Sequence, residues 1–195
     1  MERRKKVTAV HKANVLRISD ALFLREVRKV AQGFPRVQLE EQIVDAMAAL
    51  LLRDPARFDV IVTGNMFGDI LSDEASELSG SIGLAASVMA GDDCCCAQAQ
   101  HGSAPDIAGQ DRANPTSLIL SAAMLLEWLA RRHRSDAFSR AARAIDGAVD
   151  RALQDEKTRT RDLGGALGTR AFAAHVRSEE HTSELQSQFR ISYAV

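Results

Sequence analysis

Residues 58–78 constrain the fold more than any other stretch. Asp54-Pro55 is followed by a β-branched apolar run over residues 58–62, Gly64-Asn65 breaks it, and residues 66–78 return to helical spacing. A short apolar run bounded by turn residues reads as a buried strand, and the segment after it reads as a helix. The same alternation precedes it. Residues 6–10 form a short strand, and Ser19-Asp20 can cap a helix whose Leu22, Phe23, Val27, Val30 and Ala31 recur on one face before Gly33 and Pro35 end it. A brief extended piece over residues 36–39 then leads into a helix predicted over residues 40–53, with Ile43, Val44, Met47, Ala48, Leu51 and Leu52 on one side. Strand and helix in succession predict an α/β fold.

The second half is organised differently. Residues 80–109 are rich in Gly, Ser, Ala and Asp, which predicts strands and functional loops. Asn114-Pro115-Thr116 opens a helix predicted to bury Leu118, Ile119, Ala122, Leu125, Leu126 and Leu129; another follows over residues 136–155. Gly164, Gly165 and Gly168 make a loop before a short helix over residues 169–175. From residue 177 onward the chain turns polar and loses its apolar periodicity. Residues 177–195 therefore read as a non-native-looking tail, similar to a translated sequencing adaptor, outside the fold.

Charge and cysteine usage narrow the function classes. The 25 Lys plus Arg balance 26 Asp plus Glu, so no electrostatic pull toward nucleic acid or an anionic membrane is expected. Apolar runs such as residues 46–52 fall far short of the roughly 20 residues of a membrane span. The basic start Met-Glu-Arg-Arg-Lys-Lys leads into too short an apolar stretch for an export signal, so a cytoplasmic location is expected. Cys94, Cys95 and Cys96 are consecutive, a spacing foreign to disulfide frameworks and zinc sites, and are expected to be buried thiols.

The residues with most chemistry in them are Asp69 and Asp73, which share a helix face one turn apart. Like charges so placed repel by a few tenths of a kcal/mol, a cost that a bound divalent cation removes; a solvated acidic face extended by Glu74 and Glu77 fits the same spacing. The surrounding run NMFGDILSDEASELSGSIGL resembles the signature of the isocitrate/isopropylmalate dehydrogenase family. Three more stretches resemble it in family order: VHKANVL from Val10, VDAM from Val44, and HGSAPDIAG from His101, leading to Ala113-Asn114-Pro115. The resemblance spans about residues 4–176.

That resemblance implies a catalytic and metal-binding set. Asp69 and Asp73 match the two metal-side aspartates of one subunit, and Asp45 matches the aspartate lent across a homodimer interface, so the active site is shared. The ion is Mg²⁺ or Mn²⁺, chelated by the substrate's C2 oxygen and a carboxylate. Lys12 matches the lysine that crosses the same interface and assists deprotonation of the C2 hydroxyl. An ordinary ammonium, with a pKa of about 10.4, needs burial or a nearby cation to accept a proton at neutral pH. The tyrosine acid and the substrate-clamping arginines of the family lie upstream of the lysine motif and have no counterpart here.

Residues 101–114 resemble the family's adenosine-binding loop, which is not a GxGxxG fingerprint. His101, Gly102, Ser103, Ala104, Pro105, Asp106, Ile107 and Asn114 are the cofactor candidates. Asp106 can accept from both ribose hydroxyls and repels a 2′-phosphate, which favours NAD over NADP. His101, Ser103 and Asp106 as a hydrolase triad are disfavoured, because so short a loop rarely gives triad geometry and no GxSxG elbow is present.

The implied fold is of the isopropylmalate dehydrogenase type with its N-terminal half missing. Residues 1–80 belong to the smaller substrate and dimer-interface domain and residues 81–176 to the NAD-binding domain, leaving apolar surface meant for absent strands. The implied activity of the full-length parent is oxidative decarboxylation of a 3-substituted malate: 3-isopropylmalate in leucine synthesis first, with isocitrate, homoisocitrate or tartrate as alternatives and the fragment inactive alone. Asp20-Ala21-Leu22-Phe23-Leu24 leans toward the isocitrate and homoisocitrate enzymes, Asp73-Glu74-Ala75-Ser76 toward the isopropylmalate ones. A non-catalytic regulatory subunit and an inert truncation product remain open readings.

Overall fold

A computed structural model describes residues 4–182. The chain divides after Leu78 into two compact units. Beyond Thr182, the tail expected over residues 177–195 lies outside the described residues; within them, helix α6 (Thr169–Thr182) runs past residue 175, where the sequence pattern ended it.

The first unit is a three-stranded parallel sheet with helices between the strands. Its order is β2 (Gln38–Ile43), β1 (Lys6–His11), β3 (Val60–Thr63). The crossovers contain α1 (Ser19–Ala31) and α2 (Val44–Arg53), and α3 (Asn65–Leu78) follows β3. Val10, Met47, Leu51, Phe58 and Leu71 form one core cluster, joining β1 to α2 and α3.

Residues 40–43 correct the helix predicted to begin at residue 40. They are strand, paired in register from Lys6↔Gln38 to His11↔Ile43. Parallel pairing with β1 overrides the helical apolar pattern, and ion pairs accompany it: Lys6 Nζ lies 2.5 Å from Glu40, Arg57 also binds Glu40, and Arg28 grips Glu41 through two 2.6 Å hydrogen bonds. Isolated surface pairs contribute little, but here they let two adjacent glutamates sit on neighbouring pleats of an edge strand. The helix then starts at Val44, which puts Asp45 in its first turn.

The helix cap expected from Ser19-Asp20 is also replaced. Ile18 occupies the cap position with no side-chain bond, and Asp20 Oδ2 instead accepts from the backbone N–H of Lys12 at 2.6 Å. Leu22 and Val30 are exposed, while Leu24 is the buried residue of α1. On the sheet face carrying Val7, Leu39, Val60 and Val62, an apolar groove of about 580 Å³ runs beneath Phe23 and Phe34 of α1 and its C-terminal turn.

In the second unit β4 (Ala86–Ala90) and β5 (Cys95–Ala99) form an antiparallel hairpin, followed by α4 (Thr116–His133), α5 (Asp136–Gln154) and α6. Ala148, Val149, Ala152, Phe172 and Val176 join α5 to α6 in its core. Helix α4 buries its small residues most deeply, while Ile119 of the predicted apolar face packs half-buried against the core. Leu118 is 59% exposed and Ala122 is exposed, whereas Thr116, Ser117 and Ser121 are fully buried. Small hydroxyl residues let the helix approach the hairpin and satisfy its backbone: Ser121 Oγ accepts from Ser87 N–H (3.0 Å) and donates to the Gln98 carbonyl (2.6 Å), and Ser117 Oγ accepts from Gln100 N–H (3.2 Å). The cysteines are not buried: Cys94 and Cys96 are exposed and Cys95 is half-buried, because they sit at the hairpin tip. No helix among the described residues is long and apolar enough to cross a membrane.

Candidate active site

In the first unit the candidate residues collect at the carboxyl ends of the parallel strands, where open α/β sheets place their ligand sites. Lys12 directly follows β1, Asp45 opens the helix after β2, and Asp69 and Asp73 lie on the helix after β3. The lysine turn is a built feature. The N–H groups of Val15 and Leu16 both donate to the Lys12 carbonyl, at 2.9 and 2.8 Å, while Asp20 holds the Lys12 N–H. His11 Nδ1 accepts from Ala13 N–H at 3.0 Å, and Thr63 Oγ1 donates to the Val10 carbonyl at 2.8 Å, joining β3 to the end of β1.

This framework presents Lys12 Nζ to Asp45 Oδ1 at 2.5 Å. The lysine side chain is 26% exposed and the aspartate 66%, so a half-buried ammonium meets a solvated carboxylate. The hydrogen bond from Lys12, and then a backbone hydrogen bond, hold the Asp45 carboxyl below its ordinary pKa. Asp69 and Asp73 are exposed on α3, and Asn65 Nδ2 donates to Asp69 Oδ2 at 3.3 Å. Lys12 and Asp45 are thus brought together, and Asp69 and Asp73 share a face. Among the described residues no three His, Cys, Asp or Glu side chains converge to hold a metal ion, so Asp45 does not complete the aspartate pair within one chain.

In the second unit residues 101–114 form an irregular loop between β5 and α4. Ala104 and Asp111 adopt positive φ (44° and 53°), as does Gly109, and residues 105–107 make one 3₁₀ turn. His101, Gly102, Ala104 and Ile107 line two adjoining clefts of about 300 and 390 Å³; Ser103 lines the first and Asn114 the second. His101 Nδ1 lies 2.9 Å from the Gly102 carbonyl, the Asp106 side chain is exposed to solvent, and Pro105 starts the 3₁₀ turn.

Asn114 has a different position from the others. It is buried, its Oδ1 accepts from Thr116 N–H (3.0 Å) where α4 begins, and its Nδ2 donates to Asp162 Oδ2 (2.9 Å). Ser81 Oγ donates to the same oxygen at 2.5 Å and accepts from Gly83 N–H at 3.1 Å. Burial pushes the Asp162 carboxyl up, but hydrogen bonds led by Ser81 outweigh it and leave the pKa lowered. A side chain at Gly83 would place its Cβ 2.7 Å from that of Asn114. At the far side, Asp111 Oδ1 accepts from Arg170 N–H (3.0 Å) at the start of α6, and the Asp111 carbonyl accepts from Thr169 N–H (3.2 Å). Sequence reasoning missed Ser81, Asp111 and Asp162, which shape the loop without sharing a motif with it. The one available signal was the glycine run ending at Gly168, whose missing Cβ admits the Asp111 carbonyl within 2.5 Å of where it would stand.

A family model described as isocitrate/isopropylmalate dehydrogenase matches residues 1–184. The chain belongs to this family. It is 47% identical over 169 residues to the 3-isopropylmalate dehydrogenase of Sulfurisphaera tokodaii, covering 87% of this chain and 50% of that one. It is 48% identical over 173 residues to the isocitrate/homoisocitrate dehydrogenase of Thermus thermophilus, covering 89% and 49%. The crystal structure of isocitrate dehydrogenase from Methylococcus capsulatus superposes with a TM-score of 0.83 at 42% identity, over 91% of this chain and 51% of that one. The fold is therefore the family's α/β fold. The chain spans about half the length of the curated relatives it matches.

Proposed function

We propose that this chain supplies the lysine, the metal-side aspartates and the adenosine loop of an NAD-dependent dehydrogenase that oxidatively decarboxylates a 3-substituted malate, 3-isopropylmalate first, as a cytoplasmic homodimer of the full-length protein. The observation that carries the reading is the Lys12–Asp45 pair at 2.5 Å, presented at the same end of a parallel sheet as the Asp69–Asp73 face.

The donor chemistry fits the implied ion. Exposed carboxylates one helical turn apart are the hard oxygen donors that Mg²⁺ or Mn²⁺ take, with coordination positions left for substrate. When bound, such a cation draws electron density from the substrate's C2 oxygen and so eases both its deprotonation and the departure of the neighbouring carboxylate. Asp69 and Asp73 would hold it from one subunit, and Asp45 of the second subunit would add the third carboxylate; among the described residues of one chain no three such side chains gather. Lys12 takes part in proton transfer at the C2 hydroxyl. Asp45 orients it, and Asp20 fixes the backbone beneath it. In the second unit the exposed Asp106 carboxylate accepts from the ribose hydroxyls, and its charge disfavours a 2′-phosphate.

The test is a chimaera in which this chain replaces the matching half of the Sulfurisphaera tokodaii relative, assayed for NADH formation with Mg²⁺. Turnover of 3-isopropylmalate is expected, falling by about 10²- to 10⁴-fold in Lys12→Ala and Asp69→Asn. A folded chimaera without turnover, or variants that keep it, would overturn the assignment. The 48% identity to the Thermus thermophilus enzyme supports isocitrate or homoisocitrate as a second reading. Relative rates on the three acids decide between them.

A further inference from the structure

The cysteine triplet is unused by the dehydrogenase reading, and the hairpin gives it an order that its sequence hides. β4 and β5 pair from Ala86↔Ala99 to Ala90↔Cys95, with Met89 opposite Cys96. The Gly91 N–H donates to the Cys94 carbonyl at 2.8 Å, so the pairing continues by one step and sets Gly91 opposite Cys94. Side chains alternate between faces of a strand. Cys94, Cys96 and Met89 therefore stand on one face, with Gly91 leaving room beside Cys94, while Cys95 stands on the other, opposite Ala90.

Exposure follows the same alternation. Cys94, Cys96 and Met89 are exposed, Met89 at 57%, and Cys95 is half-buried. Cross-strand partners bring their Cβ atoms to about 5 Å, and residues two apart on a strand lie about 7 Å apart. Each sulfur reaches beyond its own Cβ, and the methionine stem is flexible, so the three can close on one small ion. The turn beneath them is anchored: Arg132 of α4 donates to Asp93 Oδ1 at 2.7 Å and to the Asp92 carbonyl, fixing residues 91–94.

We infer that the exposed face of the β4–β5 hairpin tip, carrying Cys94, Cys96 and Met89, is a binding site for a soft monovalent cation of the copper(I) class. Two thiolates and a thioether are a donor set that hard divalent ions reject and that low-coordinate copper(I) takes. Binding releases the two thiol protons and changes no oxidation state, so no other reactant is needed. The site is independent of the dehydrogenase reading.

Copper(I) titration of the purified chain without oxygen, against a chromogenic competing chelator, tests it. One ion per chain is expected. Cys94→Ser and Cys96→Ser should each weaken binding by about 10-fold or more, Met89→Leu by less, and Cys95→Ser should leave it unchanged. Bound copper(I) should shield Cys94 and Cys96 from alkylation and leave Cys95 at its original rate. Equal loss in Cys95→Ser, or binding no tighter than in the Cys94→Ser/Cys96→Ser double variant, would overturn the proposal; circular dichroism confirms that each variant is folded.

Discussion

The two units prepare for ligands in opposite ways. In the first, the candidate residues are charged side chains on regular strands and helices or at their ends, with Asp45, Asp69 and Asp73 open to solvent and Lys12 half-buried. In the second, the candidate loop at residues 101–114 is irregular backbone whose shape is imposed from behind by Asn114, Asp162, Ser81 and Asp111. Regular secondary structure satisfies its own backbone without recruiting side chains to do it. An irregular loop has no such ladder, so its backbone groups must be satisfied by polar side chains recruited from elsewhere in the chain. Chemistry and stability should therefore be separable in the first unit and inseparable in the second.

The largest test of that contrast is Gly168→Ala. The new Cβ would stand 2.5 Å from the Asp111 carbonyl, a backbone atom that cannot swing aside. We expect a loss of about 3 kcal/mol, read from urea unfolding followed by circular dichroism, together with weaker retention on immobilised NAD. A variant as stable as the parent would break the idea that the loop is held from behind.

Asp162→Asn should have a smaller effect, below about 1 kcal/mol at neutral pH, since the carboxylate accepts from Ser81 and Asn114 but stands exposed enough for solvent to screen its charge. Its sign with pH is fixed. The folded pKa is lowered, so the stabilisation is complete above the ordinary carboxylate pKa and is lost as pH falls through the depressed folded value. The gap in urea midpoint between parent and Asp162→Asn should narrow on acidification. A gap that widens would contradict the hydrogen-bonding origin of the shift.

The smallest effect belongs to the first unit. Asp45→Asn removes an ion pair between a half-buried lysine and a solvated carboxylate. Exposed pairs of this kind are screened by solvent, so the unfolding midpoint should stay where it is even as turnover of the chimaera collapses. A lowered midpoint would make Asp45 a structural residue and merge the two regions into one kind of site.

Several elements were legible beforehand because local pattern and tertiary role agree. Residues 65–78 form the expected helix with Asp69 and Asp73 on one face, as periodicity alone requires. Residues 40–43 were not legible: Ile43 and Val44 continue a helical stripe, and the parallel pairing with β1, joined by ion pairs to Lys6, Arg28 and Arg57, favours the strand. Leu118 was misplaced for a related reason. Apolar periodicity nominates the leucines of α4, but the hairpin needs hydroxyls that bond its backbone, so Ser117 and Ser121 take the buried face.

The sequence by itself determined the α/β alternation, the family and the identity of its candidate side chains, because these reside in short-range pattern and ordered motifs. Only the tertiary structure decided that Lys12 faces Asp45, that Asp20 serves the lysine turn rather than its own helix, and that Asp111 and Asp162 hold the second unit's loop. Most of those pairings join residues by hydrogen bonds across long sequence separations, where neither spacing nor propensity leaves a trace, and the Asp20 bond depends on how the turn after β1 folds back. The same holds at the hairpin tip, where strand register sorts three identical neighbours onto two faces.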